Sequence, residues 1–243
     1  MRVLNRASNK TLIMAICIIA MLCITMFSTL AYLTDRDSVV NTFTVGKIDI
    51  TVDETDVDRD GNKVPDQNGQ PAPRVKENLY HLIPGKEYLK DPMMTVKAGS
   101  EESYVRMIMA VNNADKVQAL INADDKNGSK GEVVDYKDLF AGWDDSKWTY
   151  KGYEVVDNTI YFEFRYFETV DGFKDGKAED EALTPLFNKI KVPGYATAEQ
   201  LADLGELKII VHGHAIQSAT FKTADEAWAA FENQYPDATT GGN

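Results

Sequence analysis

The chain has 243 residues, 44% of them hydrophobic and 26% charged, the composition of a globular domain rather than a disordered segment. It carries 26 Lys and Arg against 38 Asp and Glu, a net charge of −12. Residues 1–31 hold only Arg2, Arg6 and Lys10, which leaves the rest at −15, excludes nucleic-acid wrapping and makes the chain a poor candidate for docking on anionic lipid.

Residues 1–10 form a basic, acid-free leader, and an apolar run follows from Thr11 to Leu30. Thr29 and Ala31 place small residues three and one before a cut between Ala31 and Tyr32, which is the three-part pattern of an export signal. A run of about twenty apolar residues is also long enough to stay as a membrane anchor. Either outcome puts the basic leader inside and the body outside the membrane, so an extracytoplasmic, secreted or cell-surface location is expected. Both cysteines, Cys17 and Cys23, fall in the apolar run, so residues 32–243 contain no disulfide, thiolate nucleophile or cysteine metal site.

From Val39 the chain begins to alternate, and Phe43, Val45, Ile48, Ile50 and Val52 predict a half-buried strand interrupted at Gly46. Three features of this region stand in order. They are Ala31-Tyr32-Leu33-Thr34-Asp35, Asn41-Thr42-Phe43 and Gly46-Lys47-Ile48-Asp49-Ile50. Further on, Leu82-Ile83-Pro84-Gly85 and Lys90-Asp91-Pro92 precede an alternating run over 103–113. This ordered set resembles the TasA/camelysin family, secreted proteins of Gram-positive bacteria released by a SipW-type signal peptidase. The resemblance is specific over the first half of the chain and loose thereafter. It implies a biofilm-matrix fibre subunit that assembles with itself, and with other matrix or surface components, by strand addition. Val39, Phe43 and Val45 would then belong to the assembly strand. Camelysin-type metallopeptidase activity is the enzymatic alternative that the same resemblance implies, and a signal-anchored monomeric adhesin is a third reading. The acidic stretch near 53–77 and the C-terminal helix depart from TasA itself.

The remaining elements follow in chain order. Pro84-Gly85 predicts a turn, with φ fixed at proline and free at glycine. Val105, Met107, Met109 and Val111 alternate with Arg106, Ile108 and Ala110 as a strand, and Lys116 to Ile121 reads as a short helix. Residues 148–150 and 153–156, split by Lys151-Gly152, are expected to form a hairpin. The aromatic run from Thr159 to Phe167 is expected to be a central strand covered on both faces. A long strand is predicted over 207–216. Capping boxes at Thr197-x-x-Gln200 and Thr223-x-x-Glu226 mark two helices, the second near 223–234. The expected architecture is mainly β: one jelly-roll-like antiparallel β-sandwich over 32–243, with a few short peripheral helices, preceded by the signal helix.

Two patterns point to metals. Asp56, Asp58 and Asp60 alternate before Gly61, as in the first half of a calcium loop, but Gln67 stands where that loop has its bidentate glutamate. The same residues also read as a solvated acidic loop. His212 and His214 lie two apart on a strand and so face one side, where two imidazoles suit zinc. His81 is the only other histidine and His-Glu-x-x-His is absent, so surface-facing imidazoles on a packed strand are the other reading. No nucleophile elbow occurs, and Gly172–Ala178 is one residue short of a phosphate loop. No resident cofactor is expected, with Ca²⁺ the ion that the aspartate pattern admits. Trp143 and Trp148 read as core aromatics, Trp143 with a carbohydrate platform as its alternative.

Overall fold

The computed structural model describes residues 34–37, 47–66, 68–123 and 135–237, the first of these by backbone alone. Ala31, Tyr32, Val39, Phe43 and Val45, with the signal segment, lie outside the described residues. The fold is mainly β, with antiparallel sheets and few helices.

The main sheet has the order β1 (Thr34–Asp37), β14 (Ile209–Gln217), β6 (Ser103–Asn112), β9 (Thr159–Tyr166), β8 (Trp148–Val156). A second sheet runs β12 (Glu181–Ala182), β5 (Met93–Val96), β2 (Ile50–Thr55), β3 (Arg74–Val75), and a third runs β4 (Glu87–Leu89), β13 (Lys189–Lys191), β7 (Phe140–Ala141). The short pair β10 (Phe173–Lys174) and β11 (Lys177–Ala178) occupies the stretch that approached a phosphate loop. Its Asp175-Gly176 turn has φ of 51° and 74°, the left-handed pair of a two-residue hairpin.

Alternation on β6 works on both faces. Val105, Met107, Met109 and Val111 are all 1% exposed or less, and Arg106, Ile108 and Ala110 on the opposite face are buried as well. The doubly covered strand is therefore β6. In β9 only Ile160, Phe162 and Phe164 are buried, while Tyr161, Glu163 and Arg165 remain half-buried. The aromatic run misled because tyrosines pack their rings on a surface while keeping their hydroxyls wet, so density of aromatics does not mean two-sided burial.

The hairpin expected at Lys151-Gly152 is instead one strand, β8, with a bulge between Tyr150 and Gly152. The reversal lies at Asp157-Asn158, with φ of 47° and 60°, joining β8 to β9. Glycine gave the bulge its backbone freedom, and the Asx residues, which tolerate the left-handed region, made the turn.

One face of β14 meets the second sheet at Gly213. A Cβ built there would stand 2.5 Å from Val52 Cγ2 and 2.9 Å from the Met94 methyl, so only glycine lets the two sheets close at this point. Gly172 is a second close approach, its Cβ position 2.1 Å from the Lys97 carbonyl.

Among the described residues the helices are α1 (Ala114–Asn122), α2 (Tyr136–Leu139), α3 (Ala198–Asp203) and α4 (Ala224–Gln234). Both halves of the capping box form at Thr197 and Gln200 of α3. At α4 only the Thr223 half forms, and the Glu226 carboxylate accepts from Lys222 N instead. Helix α4 lays Ala227, Trp228 and Phe231 on Ile216 of β14.

Candidate functional site: the edge of the main sheet

Strand β1 adds to the edge of the main sheet, pairing antiparallel with β14 from Thr34 opposite Ile216 to Asp37 opposite Gly213. β14 in turn pairs with β6 over its full nine residues, from Ile209–Val111 to Gln217–Ser103. The N-terminal strand therefore joins the sheet by one ladder at an outer edge, whereas β14 is part of its interior. Backbone pairing of that kind depends little on side-chain identity and is the basis of strand addition between chains.

The face of β14 beneath α4 carries the histidines. His214 is 2% exposed and its Nδ1 accepts from Arg106 Nε at 3.2 Å. Its ring lies 5.1 Å from that of Phe231. Arg106 is fully buried, its guanidinium 4.5 Å from the Trp228 ring, with Nη1 donating to Glu232 at 2.8 Å. Of the two imidazoles expected on the surface, His214 is thus in the core, held by a cation from the neighbouring strand. His212 is half-buried on the same face, and His81 sits in the loop before the Pro84 turn. Among the described residues no three His, Cys, Asp or Glu side chains come together as a metal cluster.

The three aspartates take separate tasks. Asp58 Oδ1 accepts from the N–H groups of Asp60 and Asn62, both at 2.9 Å, and these bonds hold its carboxyl below the ordinary 3.8. Asp60 binds Lys86 Nζ at 2.7 Å, and Asp56 is tied through its backbone to Pro73 and Val64. The same turn recurs eight residues on, where Asp66 Oδ1 accepts from Asn68 N at 2.8 Å and Gln70 N at 2.7 Å. The Asp-x-x-Gly spacing thus makes a pair of Asx turns, a signal present in the sequence as Asp58-to-Asn62 and Asp66-to-Gln70. Gln67 lies outside the described residues.

A polar cluster that sequence reading missed lies at the base of this acidic segment. Lys90 and Glu54 form a buried ion pair, and Asn78 Nδ2 donates to the other Glu54 oxygen at 2.9 Å. Tyr80 covers the pair, and its hydroxyl donates to the Leu89 carbonyl at 2.9 Å. Burial, then the charges of Glu54 and Asp91, push that phenol far above its usual range. Arg74 joins Asp53 to Asp91 beside it, and Asp91 also accepts from the Thr55 N–H at 2.7 Å. Glu54, Asn78, Tyr80 and Lys90 line a cleft of about 980 Å³ that reaches Ile209, Ile210 and Val211 of β14. Trp143, the other ambiguous residue, is half-buried and stacks on Phe164 at 4.7 Å.

Among the described residues no helix is long and apolar enough to cross a membrane. No protein family, curated protein or solved structure matches this chain.

Proposed function

We propose that the chain is an exported, non-enzymatic structural subunit that assembles by lending its N-terminal strand to the sheet of the next copy. In this reading residues 1–31 are the export signal, the body is a single jelly-roll-like sandwich, and the product is a fibre of the TasA type in an extracellular matrix. The observation that carries it is the position of β1: the first strand of the body is an edge strand, held to β14 through a four-residue ladder. An edge strand at a chain terminus can be exchanged for its counterpart from another copy without rebuilding the sheet interior. Head-to-tail exchange of that kind does not close on itself and so extends into filaments. The body's net charge of −15 once residues 1–31 are removed opposes nonspecific clumping and makes assembly depend on salt.

The test is deletion of residues 32–43, followed by electron microscopy and size-exclusion chromatography. A folded monomer that forms no filaments, while the intact body does, is the expected result. Filaments from the deleted chain would refute strand lending.

A further inference from the structure

The Glu54, Asn78 and Lys90 side chains have the arrangement of a self-acylating centre. One Glu54 oxygen holds Lys90 Nζ at 2.5 Å and the other holds Asn78 Nδ2 at 2.9 Å. An amine and a carboxamide are thereby placed side by side on one carboxylate. The Lys90 and Glu54 side chains are only 9% and 6% exposed, in the wall of the cleft. The Asn78 carbonyl oxygen accepts from the Val57 N–H at 3.0 Å, a donor aimed where negative charge would develop. A buried ion pair is weak evidence for stability in its own right, which leaves this one without an evident structural purpose.

We propose that Lys90 and Asn78 join in an intramolecular isopeptide bond, with Glu54 carrying the protons. Glu54 takes a proton from the Lys90 ammonium, and the freed amine attacks Cγ of Asn78. The oxyanion collects at the Val57 N–H. Glu54 then gives its proton to Nδ2, the C–N bond breaks, and ammonia leaves. The attacking nitrogen sheds its extra proton to Glu54, from which it departs with ammonia as ammonium. Lysine ammonium plus carboxamide thus become a secondary amide plus ammonium, with no oxidant and no second substrate. The bond ties the loop carrying the Pro84-Gly85 turn into a ring closed between Asn78 and Lys90. It is independent of whether the chain polymerises.

Intact-mass spectrometry of the purified full chain, counted from its determined N-terminus, reads the outcome directly. The expected mass is lower than the sequence mass by one ammonia, with a tryptic species joining the Asn78 and Lys90 peptides and no cleavage after Lys90. Glu54→Gln and Lys90→Arg should each restore the sequence mass. The wild-type chain is itself the decisive sample, so a variant that fails to fold does not blunt the test. Full sequence mass with separate Asn78 and Lys90 peptides would overturn the proposal, as would ammonia loss without the joined species.

Discussion

Arg106 and His214 are register partners on β6 and β14, and Arg106 Nε donates to His214 Nδ1 at 3.2 Å with both residues buried. Because a guanidinium keeps its protons in proteins, Nδ1 of the ring is the acceptor in this bond. The pair joins the sheet to α4, since the same guanidinium reaches Trp228, Phe231 and Glu232.

Replacing Arg106 with Leu should therefore release α4 as well as lower stability. Lost contact with Trp228 and Phe231, and a partner group left in the core, should together cost about 2–4 kcal/mol. Glu232→Gln should cost under about 1 kcal/mol, because that carboxylate is 42% exposed. Urea unfolding followed by tryptophan fluorescence measures both, and equal losses would contradict the burial argument.

Gly213→Val should cost about 1–3 kcal/mol or more by overpacking, since its branches would enter the space held by Val52 and Met94. Gly213→Val combined with Val52→Ala should recover part of the loss. A double-mutant cycle on denaturation midpoints gives the coupling.

Asn158 does two things at the β8–β9 turn. Its φ is 60°, and its side chain accepts from Asp115 N at 3.0 Å and donates to Asp115 Oδ1 at 2.8 Å, clasping the start of α1. Asn158→Ala should lose the clasp and strain the backbone, whereas Asn158→Gly should lose the clasp alone. Ala is thus expected to be the more costly by about 1 kcal/mol, read from thermal melts.

Thr223→Ala removes the hydroxyl that accepts from Glu226 N and should cost about 1 kcal/mol, because α4 is packed through Trp228 and Phe231. Thr197→Ala should leave global unfolding nearly unchanged and speed amide exchange in α3, which buries no residue of its own.

The Asx turn at Asp58 gives a pH dependence of definite sign. Backbone and side-chain hydrogen bonds from Asn62 lower its carboxyl below 3.8, so its contribution is present above that value and is lost as pH falls through the lower, folded one. Asp58→Asn should flatten the stability profile in that acid window and leave it unchanged in shape near neutrality. Urea midpoints across the window measure this.

The elements carried by local chemistry were legible in the chain. The Pro84-Gly85 turn appears as expected, with Lys86 N closing on the Ile83 carbonyl at 3.1 Å. Thr197 and Thr223 cap their helices, and alternation located β6 and β14 to within a few residues. Each of these depends on residues within one turn or one strand, so neighbours in sequence specify it. The Asp-rich spacing was legible as well, and the structure closes it into two Asx turns with hydrogen bonds of 2.7–2.9 Å.

Other features depended on partners remote in sequence. Burial of His214 comes from Arg106, 108 residues away, and from a helix that follows both. Glu54 and Lys90 are 36 residues apart, and nothing near either announces a buried pair. Composition and periodicity determined that this is an acidic, mainly β chain with short helices at known places. Tertiary structure alone decided which strand is covered on both faces, which polar groups leave water and which strand takes the sheet edge, because those choices are made by the layer that packs against a residue rather than by its neighbours in the chain.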